Sequence, residues 1–342
     1  MKVAVSYDDV LLVPQHSEIE SRGQVIVGNS LDDDIWLDLP LLASPMDTVS
    51  EFEMGVAIAK EGGLAIIHRY NTIREQESIV AKVVETLGLG HGRVGAAIGV
   101  KGDYMERATA LIDAGAIVIC LDVAHGDHAM VERALKSLRD KYTDIVHFMA
   151  GNVATLRGFD HLAQWGADSV RVGIGGGSIC STRIETGHGV PTLESIFDCA
   201  KTEHDTKIIA DGGIKTAGDI VKSLAAGADF VMVGSMLAGT TETPGEVYTS
   251  PKQGKKYKAY RGMASEAAQL SWRGVSASPE GISTTVPFKG PVAPLLQRLR
   301  GNIASGFSYS GASNLSKLHA VAKFIRQTPA AQIESSTHIL NR

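Results

Sequence analysis

The sequence predicts a (β/α)₈ barrel, and three observations lead to this prediction. Eight short apolar runs recur along the chain, and most are followed by a loop and an amphipathic stretch. Two of the amphipathic stretches end at Gly115 and Gly227, which suits the left-handed cap of a helix. Polar or glycine-rich residues follow seven of the runs. Since a barrel carries its active site on the rim formed by the strand ends, this pattern predicts a site there.

The predicted strands are continuous apolar segments, which is typical of a parallel sheet covered by helices. They span residues 41–43, 64–67, 94–98, 117–121, 146–150, 169–172, 207–210 and 230–233. Helices are predicted between them, among others at 105–114, 129–141, 156–165 and 217–226. The alternative is an open doubly wound sheet, but no Gly-x-Gly-x-x-Gly follows the first strand.

The composition is that of an ordinary globular protein. The chain has 342 residues, of which 44% are hydrophobic and 21% charged. Barrels of this length are commonly single domains, so residues 1–342 are expected to form one. The net charge of −5 argues against nucleic acid or a membrane as partner. No signal peptide and no bilayer-spanning run is apparent, and the expected compartment is the cytoplasm.

The C-terminal third departs from the strand–helix repeat. Residues 249–290, here called the flap, begin with a polar hairpin-like piece and include a Ser/Gly/Pro-rich segment at 271–285. A long segment poor in apolar residues is a candidate mobile cover for the rim. Two final helices are predicted from Val292 and from Ser313, and the polar tail 332–342 is expected to be poorly ordered.

A glycine loop, residues 173–183 with the sequence GIGGGSICSTR, follows the sixth strand. Its glycines let the backbone approach a ligand and present N–H groups to phosphate or carbonyls to a cation. Cys180 is placed for nucleophilic attack if its pKa is lowered, and the alternative is a small packing residue in a turn. Cys120 and Cys199 lie in apolar contexts and are expected in the core.

The exits of strands seven and eight carry Asp211-Gly212-Gly213 and Gly234-Ser235. Barrels often bind phosphate at this point through backbone N–H groups. Asp211 is suited to accept hydrogen bonds from ribose hydroxyls, or alternatively to cap a helix.

Asp122 and Asn152 end strands four and five, which we expect on the side of the barrel away from the phosphate site. They are candidates for binding the ribose or amide of a second ligand, or for capping loops. Glu280 in the flap is either a general acid/base or a solvated carboxylate. No Cys/His cluster has zinc spacing.

At residues 173–183, 208–239 and 260–266 the sequence resembles the IMP dehydrogenase / GMP reductase family. The resemblance covers about Tyr7 to Phe324, nearly the whole chain. The dehydrogenases usually carry a regulatory tandem inserted after the second barrel strand. Here one predicted helix leads directly to Val94, so that insert is absent.

This resemblance implies roles for individual residues. Cys180 would add to the purine C2 and form a covalent thioimidate, while Thr182 and Glu280 would transfer protons. The nucleotide would be held by Ser44, Met46, Ser178, Asp211, Gly212, Gly213, Gly234, Ser235, Gly262, Met263 and Gly281. The nicotinamide cofactor would be held by Arg69, Asp122, Val123, Ala124, Asn152, Gly173, Ile174 and Gly175. A monovalent cation, K⁺, would be bound at Gly175, Gly177, Cys180 and Arg183. A homotetramer is also implied.

The flap favours the reductase branch of this family. A dehydrogenase must activate water to hydrolyse the adduct, and an Arg-Tyr pair on the flap is the expected device. A reductase instead needs an acid for the departing amine. Residues 271–281 read SWRGVSASPEG, without an Arg-Tyr pair, and resemble the reductase pattern. The sequence therefore favours a GMP reductase that converts GMP to IMP and ammonia with NADPH, whose 2′-phosphate Arg69 would meet.

Other features keep alternatives open. Residues 44–47, 61–63 and 240–246 resemble the dehydrogenase branch, and Gly176 replaces the proline usual in both branches. The flap also lacks an arginine that reductases carry shortly before the Glu280 position. An IMP dehydrogenase that uses NAD to oxidise IMP to XMP, with Arg273 as a displaced base, therefore stays an alternative, as does a modified purine substrate. A third alternative is a nucleotide-binding barrel without turnover, against which the retention of Cys180, Thr182 and Glu280 argues.

Overall fold

Eight parallel strands close into a barrel, as the repeating pattern predicts. The structure is a computed structural model that describes residues 3–88, 93–251, 254–335 and 337. Its strands are β1 (Val10–Leu12), β2 (Asn29–Ser30), β3 (Trp36–Leu37), β4 (Leu41–Ala43), β5 (Leu64–Ile67), β6 (Val94–Ile98), β7 (Val118–Asp122), β8 (His147–Val153), β9 (Ser169–Val172), β10 (Lys207–Asp211), β11 (Phe230–Val233), β12 (Tyr248–Thr249), β13 (Lys256–Arg261), β14 (Ser283–Pro287) and β15 (Phe324–Arg326). The barrel runs in sequence order from β4 to β11, and β11 pairs with β4 to close it.

The helices lie between and after the barrel strands. They are α1 (Phe52–Lys60), α2 (Ile73–Leu87), α3 (Tyr104–Asp113), α4 (Ala129–Tyr142), α5 (Leu156–Gln164), α6 (Thr182–Thr186), α7 (Thr192–Cys199), α8 (Ala217–Ala225), α9 (Glu266–Arg273), α10 (Val292–Tyr309), α11 (Leu315–Val321) and α12 (Pro329–Glu334). Among the described residues, none of these helices is both long and apolar enough to cross a membrane.

Local sequence explains where several helices begin. Thr72 precedes α2, and its hydroxyl accepts the N–H of Glu75 while the Glu75 carboxylate accepts the N–H of Thr72. The same reciprocal cap joins Thr216 and Asp219 at the start of α8. Each cap satisfies backbone N–H groups that a helix leaves unpaired.

The apolar side chains form two clusters because each strand points successive residues to opposite faces. Leu41 and Ala43 of β4 face the surrounding helices, whereas Leu42 faces the barrel interior. The interior cluster also includes Leu31 and Leu37 from the β2–β3 hairpin. The hairpin immediately precedes β4, so it closes the N-terminal end of the barrel and leaves the opposite end for the site.

The structure departs from the sequence prediction at some boundaries. Strand β8 continues to Val153, so Asn152 lies within a strand and not after one. The segment 271–285, which the sequence predicts as part of a mobile cover, contains the end of α9 and the beginning of β14. The predicted final helices are present as α10 and α11, and the first residues of the tail belong to α12. The end of the tail, at 336 and 338–342, lies outside the described residues.

A buried hydrogen-bonded chain ties the β2–β3 hairpin to the barrel. His147 Nδ1 lies 2.7 Å from the Asp32 carboxylate, and His147 Nε2 lies 2.8 Å from Ser169 Oγ. Burial opposes the charge of Asp32, but the His147 contact and the backbone N–H groups of Asp34 and Ile35 outweigh it and lower its pKa. His147 is only 3% exposed, so this Ser-His-Asp array is structural.

We expect Asp32→Asn to lower the free energy of unfolding by about 1–3 kcal/mol near pH 7, because the charged hydrogen bond to His147 is lost. Since folding lowers the pKa of Asp32, its contribution is present above its unfolded-state pKa of about 3.9 and disappears as the pH falls further. Urea unfolding of wild type and variant at several pH values measures this difference. Asp33→Asn, at an exposed neighbour, is the matched control. Equal effects of the two variants would contradict the prediction.

Candidate active site

The glycine loop leaves β9 and presents Cys180 at the C-terminal rim of the barrel. The Cys180 thiol is half-buried and donates a hydrogen bond to Thr182 Oγ1 at 3.1 Å. Gly173 has a φ of 147°, and a Cβ there would overlap the Asp211 carbonyl oxygen. Only glycine at position 173 therefore lets the glycine loop approach the end of β10 this closely.

The flap lies directly on the glycine loop and pairs with it through main-chain hydrogen bonds. The Ser181 N–H donates to the Glu280 carbonyl at 2.9 Å, and the Ile282 N–H donates to the Ile179 carbonyl at 3.0 Å. Cys180 and Gly281 are partners in an antiparallel bridge. Glu280 is thereby held beside the thiol by backbone contacts as well as by chain connectivity.

Three further contacts anchor the flap to the barrel. Arg261 Nε donates to the Asp47 carboxylate at 2.9 Å, and Asp47 belongs to the loop after β4. The Lys258 ammonium is 2% exposed and donates to the carbonyls of Thr240, Thr241 and Thr243. The Trp272 ring meets the Tyr70 ring edge-on, with 5.9 Å between the centroids.

A cavity of about 340 Å³ lies between the flap, the glycine loop and the barrel rim. With the exceptions of Arg183 and of Arg273, the displaced base of the dehydrogenase alternative, every residue that the sequence and the family resemblance nominate for the site lines this cavity. Its walls also contain residues that were not nominated, namely Pro45, Tyr70, Arg171, Gly176, Ile179, Ile214, Met232, Val233, Tyr260, Ala264 and Ser278. Seven of the eight strand exits, which are far apart in sequence, thus contribute to one chamber.

Arg183 supports the glycine loop from outside the cavity. Its side chain passes between Gly175 and Gly189, where added Cβ atoms would lie 2.6 and 2.7 Å from Arg183 Cγ. Its guanidinium donates to the Val190 carbonyl at 2.7 Å. A guanidinium has no lone pair to offer a metal, so the side chain of Arg183 is unsuited to be a cation ligand.

Arg171, which sequence reasoning missed, connects two carboxylates of the cavity wall, Asp122 and Asp211. It lies on β9, is 6% exposed, and donates from Nη1 to the Asp122 carboxylate at 2.7 Å. Its Nη2 and Nε donate to the same oxygen of Asp211 at 2.9 and 3.2 Å. Burial opposes the charge of Asp122, but Arg171 and Arg69 outweigh it and hold the pKa of Asp122 below its usual value.

The expectation that Asn152 lies away from the phosphate side is wrong. Its side-chain amide donates to Asp211 at 2.8 Å and to the Gly173 carbonyl at 2.9 Å. Only β9 separates β8 from β10, and inward side chains of such near neighbours meet within a narrow barrel. Asp211 does not cap the following helix, because Thr216 does.

Tyr260 is a second residue that sequence reasoning missed, although it opens the YRGMASE motif. Its hydroxyl lies near the side chains of Ser178 and Ser235, which come from the glycine loop and from the exit of β11 and line the same cavity. Burial raises the pKa of Tyr260, so the hydroxyl keeps its proton. A Cβ at Gly234 would lie 3.3 Å from this hydroxyl, so a larger residue there would crowd the cluster. Three hydroxyls beside glycine backbone form a group of donors suited to an anion.

Arg69 and Tyr70 follow β5 and line the cavity opposite the glycine loop. The Arg69 guanidinium donates to the Asp122 carbonyl at 3.1 Å and lies 5.0 Å from the centre of the Tyr70 ring. Burial raises the pKa of Tyr70 to about 12, so it is a neutral phenol. Arg69 is thus held within the protein by Asp122 and Tyr70.

The two remaining cysteines are core residues, as expected. Cys120 and Cys199 are both fully buried. Burial raises the pKa of Cys120 to about 11 and that of Cys199 to about 12, so neither is a nucleophile at neutral pH. Within the described ranges, no three His, Cys, Asp or Glu side chains form a group fit to hold a metal ion.

Comparison with known proteins identifies the family to which this geometry belongs. A family model described as IMP dehydrogenase / GMP reductase domain matches residues 4–338. The chain belongs to the IMP dehydrogenase / GMP reductase family. Members of this oxidoreductase family act on purine nucleotides with a nicotinamide cofactor.

Relatives with both activities are about equally similar. An inosine-5′-monophosphate dehydrogenase of Nitrosopumilus maritimus is 33% identical over 471 residues, covering 98% of each chain. A GMP reductase of Leishmania major is 34% identical over 480 residues, covering 99% of this chain and 97% of its own. Both alignments are longer than the 342 residues of this chain, so both relatives carry residues without a counterpart here. The absence of an insert therefore does not separate the two activities.

A solved structure supports the same family and fold. A GMP reductase variant of Trypanosoma brucei, in complex with guanosine 5′-monophosphate, superimposes with a TM-score of 0.94. It is 31% identical in sequence, and the match covers 99% of this chain and 98% of that chain.

We expect Arg171→Lys to weaken the binding of GMP and of IMP by about tenfold or more. A lysine ammonium keeps the charge but cannot reproduce the forked contacts to Asp122 and Asp211. Isothermal titration calorimetry with each nucleotide measures the effect. Arg139→Lys is the matched control, since Arg139 makes a similar contact to Asp168 at 2.6 Å outside the cavity lining. Unchanged affinity in Arg171→Lys would show that the network does not position the nucleotide-binding groups.

Proposed function

We propose that the protein is an NADPH-dependent GMP reductase, which converts GMP to IMP and ammonia. One observation carries the choice of this branch. The Glu280 carbonyl accepts the Ser181 N–H of the glycine loop at 2.9 Å, and the flap brings a carboxylate but no Arg-Tyr pair to the cavity that Cys180 lines. A departing amine needs a proton donor, which a carboxylic acid supplies.

In this proposal the nucleotide occupies the part of the cavity between the glycine loop and the exits of β10 and β11. The hydroxyls of Ser178, Ser235 and Tyr260, with the backbone of Gly213 and Gly234, hold its phosphate. The ribose hydroxyls donate to Asp211, and Ser44, Met46, Gly212, Gly262, Met263 and Gly281 enclose the remaining surface of the nucleotide.

Cys180 then acts as the nucleophile. Its proton passes through Thr182, which accepts the hydrogen bond from the thiol, to the Glu280 carboxylate; the sulfur bonds to purine C2, and the electron pair of the C2=N3 double bond moves to N3 until the amine leaves. The pair Thr182 and Glu280 protonates the amine at C2, which leaves as ammonia with the electrons of the C–N bond. A thioimidate between Cys180 and the purine remains.

The nicotinamide cofactor, when bound, supplies a hydride to C2 of this adduct. IMP would then be released as the C2=N3 double bond re-forms and the C2–S bond breaks with its electron pair on Cys180, and the thiolate would regain a proton from solvent. The residues proposed to hold the cofactor are Arg69, Asp122, Val123, Ala124, Asn152, Gly173, Ile174 and Gly175, which line the cavity together. The charged Asp122 is suited to accept hydrogen bonds from a ribose.

A monovalent cation is part of the proposal as a structural support of the glycine loop. The carbonyls of Gly175, Gly177 and Cys180 are hard oxygen donors of the kind that K⁺ prefers. The side chain of Arg183 orders the same loop through the Val190 carbonyl, so any contact of this residue with the cation would come from its backbone. A homotetramer is expected from the family resemblance, and light scattering after gel filtration tests it. The cytoplasm is the compartment that we propose from the sequence.

IMP dehydrogenase is the second candidate, and a specific observation favours it. Arg69 and Tyr70 form an adjacent Arg-Tyr pair that lies not on the flap but in the same cavity as Cys180. Trp272 of the flap packs on Tyr70, so the position of the flap affects the position of this pair. In this second candidate, Arg69 and Tyr70 would activate water in place of the Arg-Tyr pair expected on a dehydrogenase flap. The similar identity of relatives with either name is consistent with both candidates.

Two absorbance assays at 340 nm distinguish the candidates. We expect NADPH to be consumed in the presence of GMP, with ammonia released in equal amount, because the flap supplies an acid and lacks the Arg-Tyr pair. We expect no NADH to form from IMP and NAD in the presence of potassium. NADH formation in the second assay would overturn the proposal. Loss of that activity in Tyr70→Phe would then identify the displaced pair.

Substitution of the nucleophile separates an enzyme from a nucleotide-binding barrel without turnover. We expect Cys180→Ala to lower kcat by about 10³-fold or more while nucleotide affinity stays within a few-fold. Glu280→Gln should lower kcat by about 10²–10⁴-fold, because the proton donor is lost. Cys199→Ala, at the core cysteine, is the control and should keep its turnover. Wild-type protein that binds GMP and IMP but turns over neither would support the binding-only alternative.

A further inference from the structure

The first residue of α7, Thr192, lies directly behind the glycine wall of the cavity. It is 4% exposed and does not itself line the chamber. Among the described residues, its hydroxyl makes no hydrogen bond. A buried hydroxyl without a partner destabilises a folded protein, so its presence beside an active site requires an explanation.

The neighbours of Thr192 are the glycines of two active-site loops. A Cβ at Gly176 would overlap the Thr192 hydroxyl oxygen, and a Cβ at Gly213 would lie 3.8 Å from that oxygen. A Cβ at Gly173 would lie 3.4 Å from the Thr192 methyl group. The side chain therefore lies between the loop that carries Cys180 and the loop that follows Asp211.

The contact explains why glycine occupies position 176. Its backbone is outside the left-handed region, so φ alone would admit another residue. The obstacle is the Thr192 hydroxyl, which occupies the space that a side chain at 176 would need. A glycine loop without side chains can also shift its carbonyls by small changes of backbone dihedral angle.

We propose that Thr192 is a positioning residue, whose hydroxyl donates to a main-chain carbonyl of residues 173–177 once a purine nucleotide is bound. The bond fixes the loop with Cys180 in its reactive position. In the protein without nucleotide the bond is absent, and the buried hydroxyl is left unpaired. The inference rests on the proposed attack of Cys180 on a bound nucleotide, and it holds for either direction of the reaction.

Ser195 supplies a matched comparison. It lies one turn further along α7, is fully buried, and its hydroxyl likewise has no partner within the described part of the chain. No glycine of the active-site loops has Ser195 among its near neighbours. Removal of the Ser195 hydroxyl therefore changes the same helix without changing the contact with the loop.

The test compares Thr192→Val, Thr192→Ser and Ser195→Ala by hydrogen exchange of residues 173–183 with and without GMP or IMP, and by steady-state kinetics. In the wild type we expect nucleotide to slow exchange in the loop. Thr192→Val, which keeps the shape but lacks the hydroxyl, should lose this protection and about tenfold in kcat. Thr192→Ser should keep both to within about twofold, and Ser195→Ala should match the wild type.

Several outcomes would overturn the inference. Thr192→Val with normal protection and turnover would show that the hydroxyl has no positioning role, and equal losses in Ser195→Ala would assign the effect to the helix as a whole. A thermal midpoint of unliganded Thr192→Val at or above that of wild type excludes misfolding as the cause. Nucleotide protection in a wild type that does not reduce GMP would contradict the proposed function and leave this test intact.

A double-mutant cycle tests the contact itself. Gly176→Ala should impair the loop in the wild-type background, because its Cβ meets the Thr192 hydroxyl. The same substitution should cost less in Thr192→Ala, where that oxygen is absent. Additive effects of the two substitutions would contradict a direct contact between positions 176 and 192.

Discussion

The buried guanidinium of Arg171 is the contact on which the arrangement of the site depends. Two carboxylates, Asp122 and Asp211, lie inside a narrow barrel where their charges would repel each other without a cation between them. Arg171 donates to both, and both carboxylates line the cavity. Because Asn152 also bonds to Asp211, one network holds groups proposed for the nucleotide and for the cofactor. The two ligands would thus be positioned relative to each other by a single arginine.

The second constraint is the way the nucleophile is presented. The glycine loop has few side chains of its own, so its neighbours determine its shape. Arg183 fills the space between Gly175 and Gly189, Thr192 lies beneath Gly176, and the flap covers the loop from above. These contacts on three sides hold a glycine-rich loop in one conformation. Because the loop is already ordered, it loses little conformational entropy when a ligand binds.

Much of this site could be predicted from the sequence because parallel strands bring their carboxyl ends to one rim. Asp122, Asp211 and Cys180 were nominated from their positions after apolar runs, and all three line the cavity. Arg171 was not, because a single charged residue within the strand pattern SVRV does not reveal which way it points until the barrel is closed. Asn152 was assigned to the wrong side for the same reason. The order of strands along the chain does not show how near their inward side chains come in a narrow barrel.

The flap and the glycine loop meet through backbone atoms, with Ser181 donating to Glu280 and Ile282 donating to Ile179. Peptide groups are common to all residues, so this register does not depend on which side chains the flap carries. A lineage could therefore exchange an acid for a water-activating group above the thiol without rebuilding the barrel. Sequence similarity would then be a weak guide to the reaction. Relatives with about the same sequence identity could catalyse either the reduction of GMP or the oxidation of IMP.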